Sequence, residues 1–240
     1  LLSAAWLKLD TGMHRLGFSS DTLPQALSAV HAAGITDITL MSHLATAEHP
    51  DADLTSFQLA AWQEQLKDWQ GAVSLHNSAA ARTRSTGASD WARLGYALYG
   101  GQINGLPNDE TLRPAMRFTT SVLTLRDVKR GESVGYGGRW VAQRDSRIAT
   151  LPVGYADGYP WAARDGAPIG IADHIAPLAG RVSMDMVTVD VTDCAHIEVG
   201  VPAVLWGSQP SVDEVAEHCN TIGYELMTRV TSRVPRCYHP

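Results

Sequence analysis

The sequence predicts an α/β region over residues 1–112 and a mostly β region over 113–240, and three observations carry that reading. Up to residue 112, short apolar runs of strand length alternate with helical patterns, the rhythm of parallel strands joined by helical crossovers. The predicted strands lead into polar residues: Asp10–Arg15, Ser42 and His43, His76–Ser78, then Gly95 and Gly100. In parallel α/β folds, barrel or open sheet, chemistry collects at those C-terminal strand ends. After "LRPAMR" (Leu112–Arg117) the runs become β-rich and are separated by Gly, Pro and Asp turns.

"AAWLKLD" is the first strand. "DTLPQALSAVHAAG" follows as a helix, with Asp21 placed to cap it and Gly34 to end it. "ITDITLMSH" is a second strand. "DADLTSFQLAAWQEQLKDW" is an amphipathic helix that directs Leu54, Phe57, Leu59, Trp62 and Leu66 inward. "AVSLHN" and "ARLGYALYG" read as further strands. A (β/α)8 barrel takes about 250 residues. The α/β region has room for roughly half of one, so the sequence is expected to lack the front of its first domain. In the second region "MRFTTSVLTLRDV", "RWVAQRDSRIATLPVG", "PLAGRVSMDMVTVDV" and "VPAVLWG" are strand-forming. A helix at "SVDEVAEHCN" starts with a capping box, Ser211 with Glu214 three residues on, and a second follows at "YELMTRVT".

Composition narrows the function classes. The net charge of −6, with no long basic run, argues against nucleic acid as the main partner. No window holds the roughly 18 apolar residues needed to span a bilayer. Cys194, Cys219 and Cys237 have no metal-binding or redox spacing and read as free thiols of a reducing, cytoplasmic compartment. His43, Glu48 and His49 fit no standard metal site, so no metal is expected. Ser78 in "HNSAA" sits at a strand-to-helix turn, where a hydroxyl and backbone N–H groups can hold a phosphate, or simply close a tight turn. "RLGYALYG" offers a similar glycine turn. Tyr136 in "GYGG" and Tyr155 in "GYADGYP" are turn tyrosines whose plain role is packing or a surface hydrogen bond. Asp185, within the apolar "VSMDMVTVDV", needs a partner or a role.

Taken together, "KLDTGMHRLGF", "MSHLATAEHP", "HNSAA", "RLGYALYG", "LRPAM", "VGYGGRW", "LPVGYADGYP", "GRVSMDMVTVDV" and "RVPR", in that order, resemble the alanine racemase family, its proteobacterial branch most of all. The resemblance covers essentially the whole chain. It implies the C-terminal half of a (β/α)8 TIM-type barrel over 1–112 and a mostly β domain over 113–240. It also implies pyridoxal 5'-phosphate as cofactor, and a homodimer whose active sites are shared between subunits. The implied reaction is interconversion of L- and D-alanine, for peptidoglycan synthesis or for D-alanine catabolism.

By resemblance, Arg15 meets the cofactor's phenolic oxygen and the substrate carboxylate, and Lys8 is the lysine whose carbamylation orients that arginine. Ser78, Gly95 and Tyr96 match the phosphate-binding turns, and Arg93 faces the pyridine nitrogen. His43 links Arg93 to the catalytic Tyr136, contributed by the partner subunit. Tyr155 narrows the substrate entrance, while Met184 and Asp185 stand by the substrate carboxylate. A phenol surrenders its proton only well above neutral pH, so cationic neighbours must favour its phenolate. The family's second base is the lysine that carries the cofactor, and Lys8, Lys67 and Lys129, the lysines of this sequence, do not match it. A phosphate-contacting tyrosine that follows that lysine is also unmatched, and Ser232 stands where a tyrosine often precedes "RVPR". These 240 residues alone are therefore expected not to racemise. The alternatives are a racemase of serine or of a broader range of amino acids, and a non-catalytic fragment.

Overall fold

The structure is a computed structural model that describes residues 3–83, 87–103 and 105–238. It divides into two compact units, Leu1–Leu98 with Gln102–Glu110, and Tyr99–Gly101 with Thr111–Pro240.

The first unit alternates strands and helices: β1 (Ala4–Lys8), α1 (Leu23–Ala32), β2 (Asp37–Met41), α2 (Asp53–Leu66), β3 (Val73–Ser74) and α3 (Ser78–Thr83). The strands form one parallel sheet in the order β1-β2-β3. Leu7, Leu9, Ile38, Leu40, Val73 and Leu75 supply much of its core, with Trp62 of α2 wholly buried against them. Gly34 ends α1 with a left-handed φ of +81°, and the Gly34 and Ile35 amides donate back to His31 and Val30.

Three local expectations need correction. Asp21 does not cap α1; Thr22 holds the cap position without a side-chain bond, and Pro24 sits in the first turn, where its missing N–H costs nothing. The buried residues of α2 are Thr55, Gln58 and Trp62, while Leu54 is exposed and Phe57 is 62% exposed. Polar residues took the inward positions because loop backbone groups there need partners, as the hydrogen bonds below show. "ARLGYALYG" is not a strand: the chain follows β3 through bonds from the Asp90 and Trp91 amides to Val73 O and from the Arg93 amide to His76 O. It then tightens into a single 3-10 turn at Tyr96–Tyr99.

The second unit contains β4 (Phe118–Ser121), β5 (Thr124–Val128), β6 (Ser133–Val134), β7 (Trp140–Val141), β8 (Ser146–Leu151), β9 (Pro168–Ile171), β10 (His174–Pro177), β11 (Val187–Asp190) and β12 (Pro202–Trp206), then α4 (Val212–His218) and α5 (Gly223–Arg229). They form antiparallel sheets β10-β9-β12-β4 and β11-β8-β5 and the hairpin β6-β7. The β9–β10 hairpin escapes the sequence reading, because Pro168 and Pro177 bracket it and look like turn residues. Ser211 and Glu214 form the expected capping box on α4. Trp206 is fully buried between Phe118 and Tyr159, at ring-centroid distances of 4.7 and 6.3 Å.

Candidate active site

The parallel register sets Lys8, Met41 and Ser74 side by side at the ends of β1, β2 and β3. Arg93 lies across two of those ends. Its Nη1 donates to Ser74 O (3.0 Å) and Ser74 Oγ (2.7 Å), and its Nη2 to Ser42 O (2.6 Å). The same Nη2 stands 3.2 Å from His43 Nδ1. A guanidinium only donates, so His43 Nδ1 accepts and the proton of the neutral ring sits on Nε2. Burial, then the charges of Arg93, Arg15 and Lys8, hold the His43 pKa below the ordinary imidazole range, which keeps the ring neutral at physiological pH. Burial and the Arg15 and Arg93 charges also push Lys8 down, partly offset by Asp10.

Among the described residues, none of Lys8, Arg15 and Arg93 meets a carboxylate at ion-pair distance. Three neighbouring cations with no close ion pair, and with only Asp10 nearby to offset Lys8, make a site suited to an anionic ligand.

A buried polar layer holds this cluster from below. Gln58 of α2 accepts from the Ala45 amide (2.8 Å) and donates to His43 O (3.0 Å) and Thr11 Oγ1 (3.2 Å). Thr11 and Ser42 share a hydroxyl contact of 2.8 Å, and Ser42 Oγ donates to Leu9 O. The "DTGMHRLG" loop that presents Arg15 is folded on Asp10, whose Oδ1 accepts the Gly12 and His14 amides, both at 3.0 Å. The His14 amide bond, outweighing a small burial cost, leads in keeping the Asp10 carboxyl below the usual range. Gly17, at φ +127°, lets the loop return: a Cβ there would stand 2.9 Å from Lys8 O.

Ser78 and Gly95 also come together. Ser78 Oγ accepts from the Gly95 and Ala97 amides, both at 3.3 Å, beside the buried Tyr96. Gly95 has no left-handed φ, and a Cβ placed on it would meet no other atom within 4 Å, so the chain's own packing does not require a glycine there. The open space at Gly95 leaves room for a ligand beside this turn.

The other residues singled out from sequence lie in the second unit. Tyr136 occupies the turn between β6 and β7, 71% exposed, flanked by Gly135 and Gly137 at φ +77° and +71°. Tyr155, Met184 and Asp185 are brought together by backbone: the Tyr155 amide donates to Ser183 O (3.1 Å) and the Ala156 amide to Met184 O (3.0 Å). Asp185 is exposed rather than enclosed by its apolar neighbours, and it accepts from Arg233 Nη2 at 2.6 Å.

Sequence reasoning placed Ser42 at a strand end without a role there, and missed Ser74 and Gln58 beneath the cations and Arg233 beside Asp185. Gln58 hides because an uncharged polar residue in a helix reads as solvent-facing. Arg233 had a signal, as the first residue of "RVPR", paired with the unexplained Asp185.

Comparison with known proteins agrees along the whole chain. Residues 3–103 match the family model "Alanine racemase, N-terminal domain" and residues 115–238 match "Alanine racemase, C-terminal domain". The alanine racemase of Stutzerimonas stutzeri (strain A1501) is 47% identical over 236 residues, covering 97% of this chain and 66% of that protein. The crystal structure of the biosynthetic alanine racemase from Pseudomonas aeruginosa superimposes with a TM-score of 0.94 at 44% identity, covering 100% of this chain and 68% of that one. The Bartonella henselae alanine racemase, described with covalently bound pyridoxal phosphate, gives a TM-score of 0.86 at 30% identity, over 98% of this chain and 66% of that one. The chain thus spans about 66% of the length of a curated relative such as the Stutzerimonas protein. On these matches, which run through both units, the chain belongs to the alanine racemase family.

Proposed function

We propose that the protein carrying this chain interconverts L- and D-alanine with pyridoxal 5'-phosphate, as a homodimer with shared active sites. The first unit is then the later part of a (β/α)8 barrel, and the second is the β domain offered to the partner subunit. The observation that carries the reading is the group of cations Lys8, Arg15 and Arg93, none of them in a close ion pair, with the neutral His43 bonded to Arg93.

The residues present fit the cofactor. Ser78, Gly95 and Tyr96 would hold its phosphate, Arg93 would face its pyridine nitrogen, and Arg15 would meet its phenolic oxygen. When bound, pyridoxal phosphate withdraws electrons from the substrate and so acidifies the alanine Cα–H. Arg93 keeps its protons at physiological pH, so it would donate a hydrogen bond to the pyridine nitrogen without protonating it, which would restrain that withdrawal. His43, bonded to Arg93 through Nδ1, keeps an Nε2–H to donate to the Tyr136 phenolate of the partner subunit. Tyr136 serves one face of the alanine Cα, and a lysine outside this sequence serves the other. The lowered Lys8 pKa favours its neutral amine, the form that carbon dioxide carbamylates, and a carbamate there would draw Arg15 into place. Tyr155, Met184 and Asp185 would border the alanine carboxylate and methyl group. Exposed Tyr136, Tyr155, Met184 and Met186 support a face covered by a second copy.

The test is D-alanine formation from L-alanine by the protein carrying this chain, with added cofactor. Turnover that is lost in Tyr136→Phe is expected; a cofactor-bound protein that forms no D-alanine overturns the reading. Borohydride reduction of the 240-residue chain alone, loaded with cofactor, is expected to trap no lysine adduct. Lys67 is paired with Glu64 on α2 and Lys129 with Asp145 on the β unit, and Lys8 takes the role beside Arg15.

A further inference from the structure

Three stretches of the second unit meet around Arg233. The Gly154–Tyr159 turn leans on residues 183–184 through the Tyr155 and Ala156 amide bonds described above. Its other flank lies on the end of α5: the Thr231 amide donates to Asp157 O (3.1 Å) and Thr231 Oγ1 to Ala156 O (2.9 Å). Two glycines make these approaches possible. A Cβ on Gly154 would stand 2.3 Å from both Ser183 O and Met184 O, and one on Gly158 would stand 2.6 Å from Arg229 O.

Backbone bonds join these stretches only in pairs, whereas one side chain joins all three. Arg233 Nε donates to Asp157 Oδ1 (2.7 Å) and Nη2 to Asp185 Oδ1 (2.6 Å). Asp157 is itself fixed, its Oδ2 accepting the Gly154 amide at 2.8 Å. Met184, Asp185 and Met186 are all exposed, so burial does not hold their loop; polar contacts must.

We infer that Arg233 is a positioning residue, whose guanidinium fork locks the turn carrying Tyr155 to the loop carrying Met184 and Asp185. Its consequence for substrate binding rests on the racemase reading; the lock itself does not. A planar fork reaches two carboxylates in fixed directions at once, while a lysine ammonium is a point charge on a flexible stem and serves one well.

The experiment has two arms, both on the protein carrying this chain. Amide exchange is read by mass spectrometry on peptides spanning 153–158 and 181–186, in the wild type and in Arg233→Gln, Arg233→Lys and Asp185→Asn. Arg233→Gln is expected to speed exchange in both peptides by about tenfold, with β8 and β11 unchanged, and Arg233→Lys to recover part of the protection. Asp185→Asn, which keeps an acceptor for Arg233 but strips the charge from that exposed arm, is expected to loosen 181–186 alone. Unchanged exchange in Arg233→Gln, or a rise shared equally by β8 and β11, overturns the inference. Should Arg233→Gln fail to fold, Asp185→Asn decides by the same peptides. The second arm is alanine racemisation, where Arg233→Gln is expected to raise KM by about tenfold with a smaller fall in kcat. A fall in kcat alone counts against positioning. A wild type that forms no D-alanine defeats the racemase reading, and the exchange arm still judges the lock.

Discussion

Two sites, one in each unit, treat charge in opposite ways. At the strand ends of the α/β unit, Lys8, Arg15 and Arg93 stand together, and the acceptors given to Arg93 are neutral: Ser42 O, Ser74 O, Ser74 Oγ and His43 Nδ1. In the β unit Arg233 lies between two carboxylates, and Arg139 pairs with Asp165 while donating to Ala163 O and Gly180 O. A cation whose charge is already answered fixes shape. A cation held in place by neutral groups keeps its field for something else, and costs desolvation that a bound anion can offset. The glycines divide in the same way. Gly154 and Gly158 are required by the chain's own backbone, whereas Gly95 faces open space.

The largest expected effect breaks the α/β side of this contrast. Arg93→Met removes the donor to Ser42 O, Ser74 and His43, and racemisation is expected to fall by about two to three orders of magnitude. Steady-state rates with cofactor bound check this. Gln58→Leu strips partners from the Ala45 amide, His43 O and Thr11 together, and is expected to cost about 2–4 kcal/mol in urea unfolding. On the β side, Gly154→Ala forces a Cβ against two carbonyl oxygens and is expected to cost about 2–3 kcal/mol in the same measurement.

Gly95→Ala sharpens the comparison, because it should leave unfolding unchanged and weaken cofactor binding by about tenfold, read by fluorescence titration. Loss of stability without loss of affinity would mean that this glycine, too, serves the chain.

The smallest effect is acid sensitivity. The folded state holds the His43 pKa below its unfolded value, so the unfolded chain binds the extra proton first as pH falls. Stability is therefore complete above about pH 6.5 and declines below it, by less than about 1.4 kcal/mol per pH unit. His43→Gln should flatten urea midpoints between pH 7 and 5. Asp157 differs in sign of cause: burial raises its pKa, but the Arg233 bond and the Gly154 amide outweigh it and leave the group lowered. Its contribution is present above the ordinary carboxylate range and is lost only as pH falls through the lowered value, so the β side yields at more acidic pH.

Much of this was legible in the residues themselves. The alternation of β1, α1, β2, α2 and β3 follows from apolar period, and Ser211 with Glu214 announces α4 through a bond that spans three residues. The resemblance motifs pointed to Lys8, Arg15, His43, Ser78, Arg93 and Gly95 in the first unit, where Arg93 meets His43 and Ser78 meets Gly95. Less legible were the features that depend on what lies opposite. The inward face of α2 was misread because Gln58 is inside for the sake of Thr11, His43 and Ala45, which are distant in sequence. "ARLGYALYG" looked like a strand, yet its Arg93 amide bonds to His76 O, just after β3, and the segment then coils.

By itself, then, the sequence determined what is local or carried by motif: the β1-α1-β2-α2-β3 order, the capping box of α4, and the family to which the chain belongs. Only the tertiary structure decided which charges are answered and which are not. That Arg93 is held by neutral oxygens and a neutral histidine, and that Arg233 spans Asp157 and Asp185, depends on contacts between residues 19 to 76 positions apart. Hydrogen bonds and ion pairs act over a few ångströms of space, and spacing along the chain does not encode that distance.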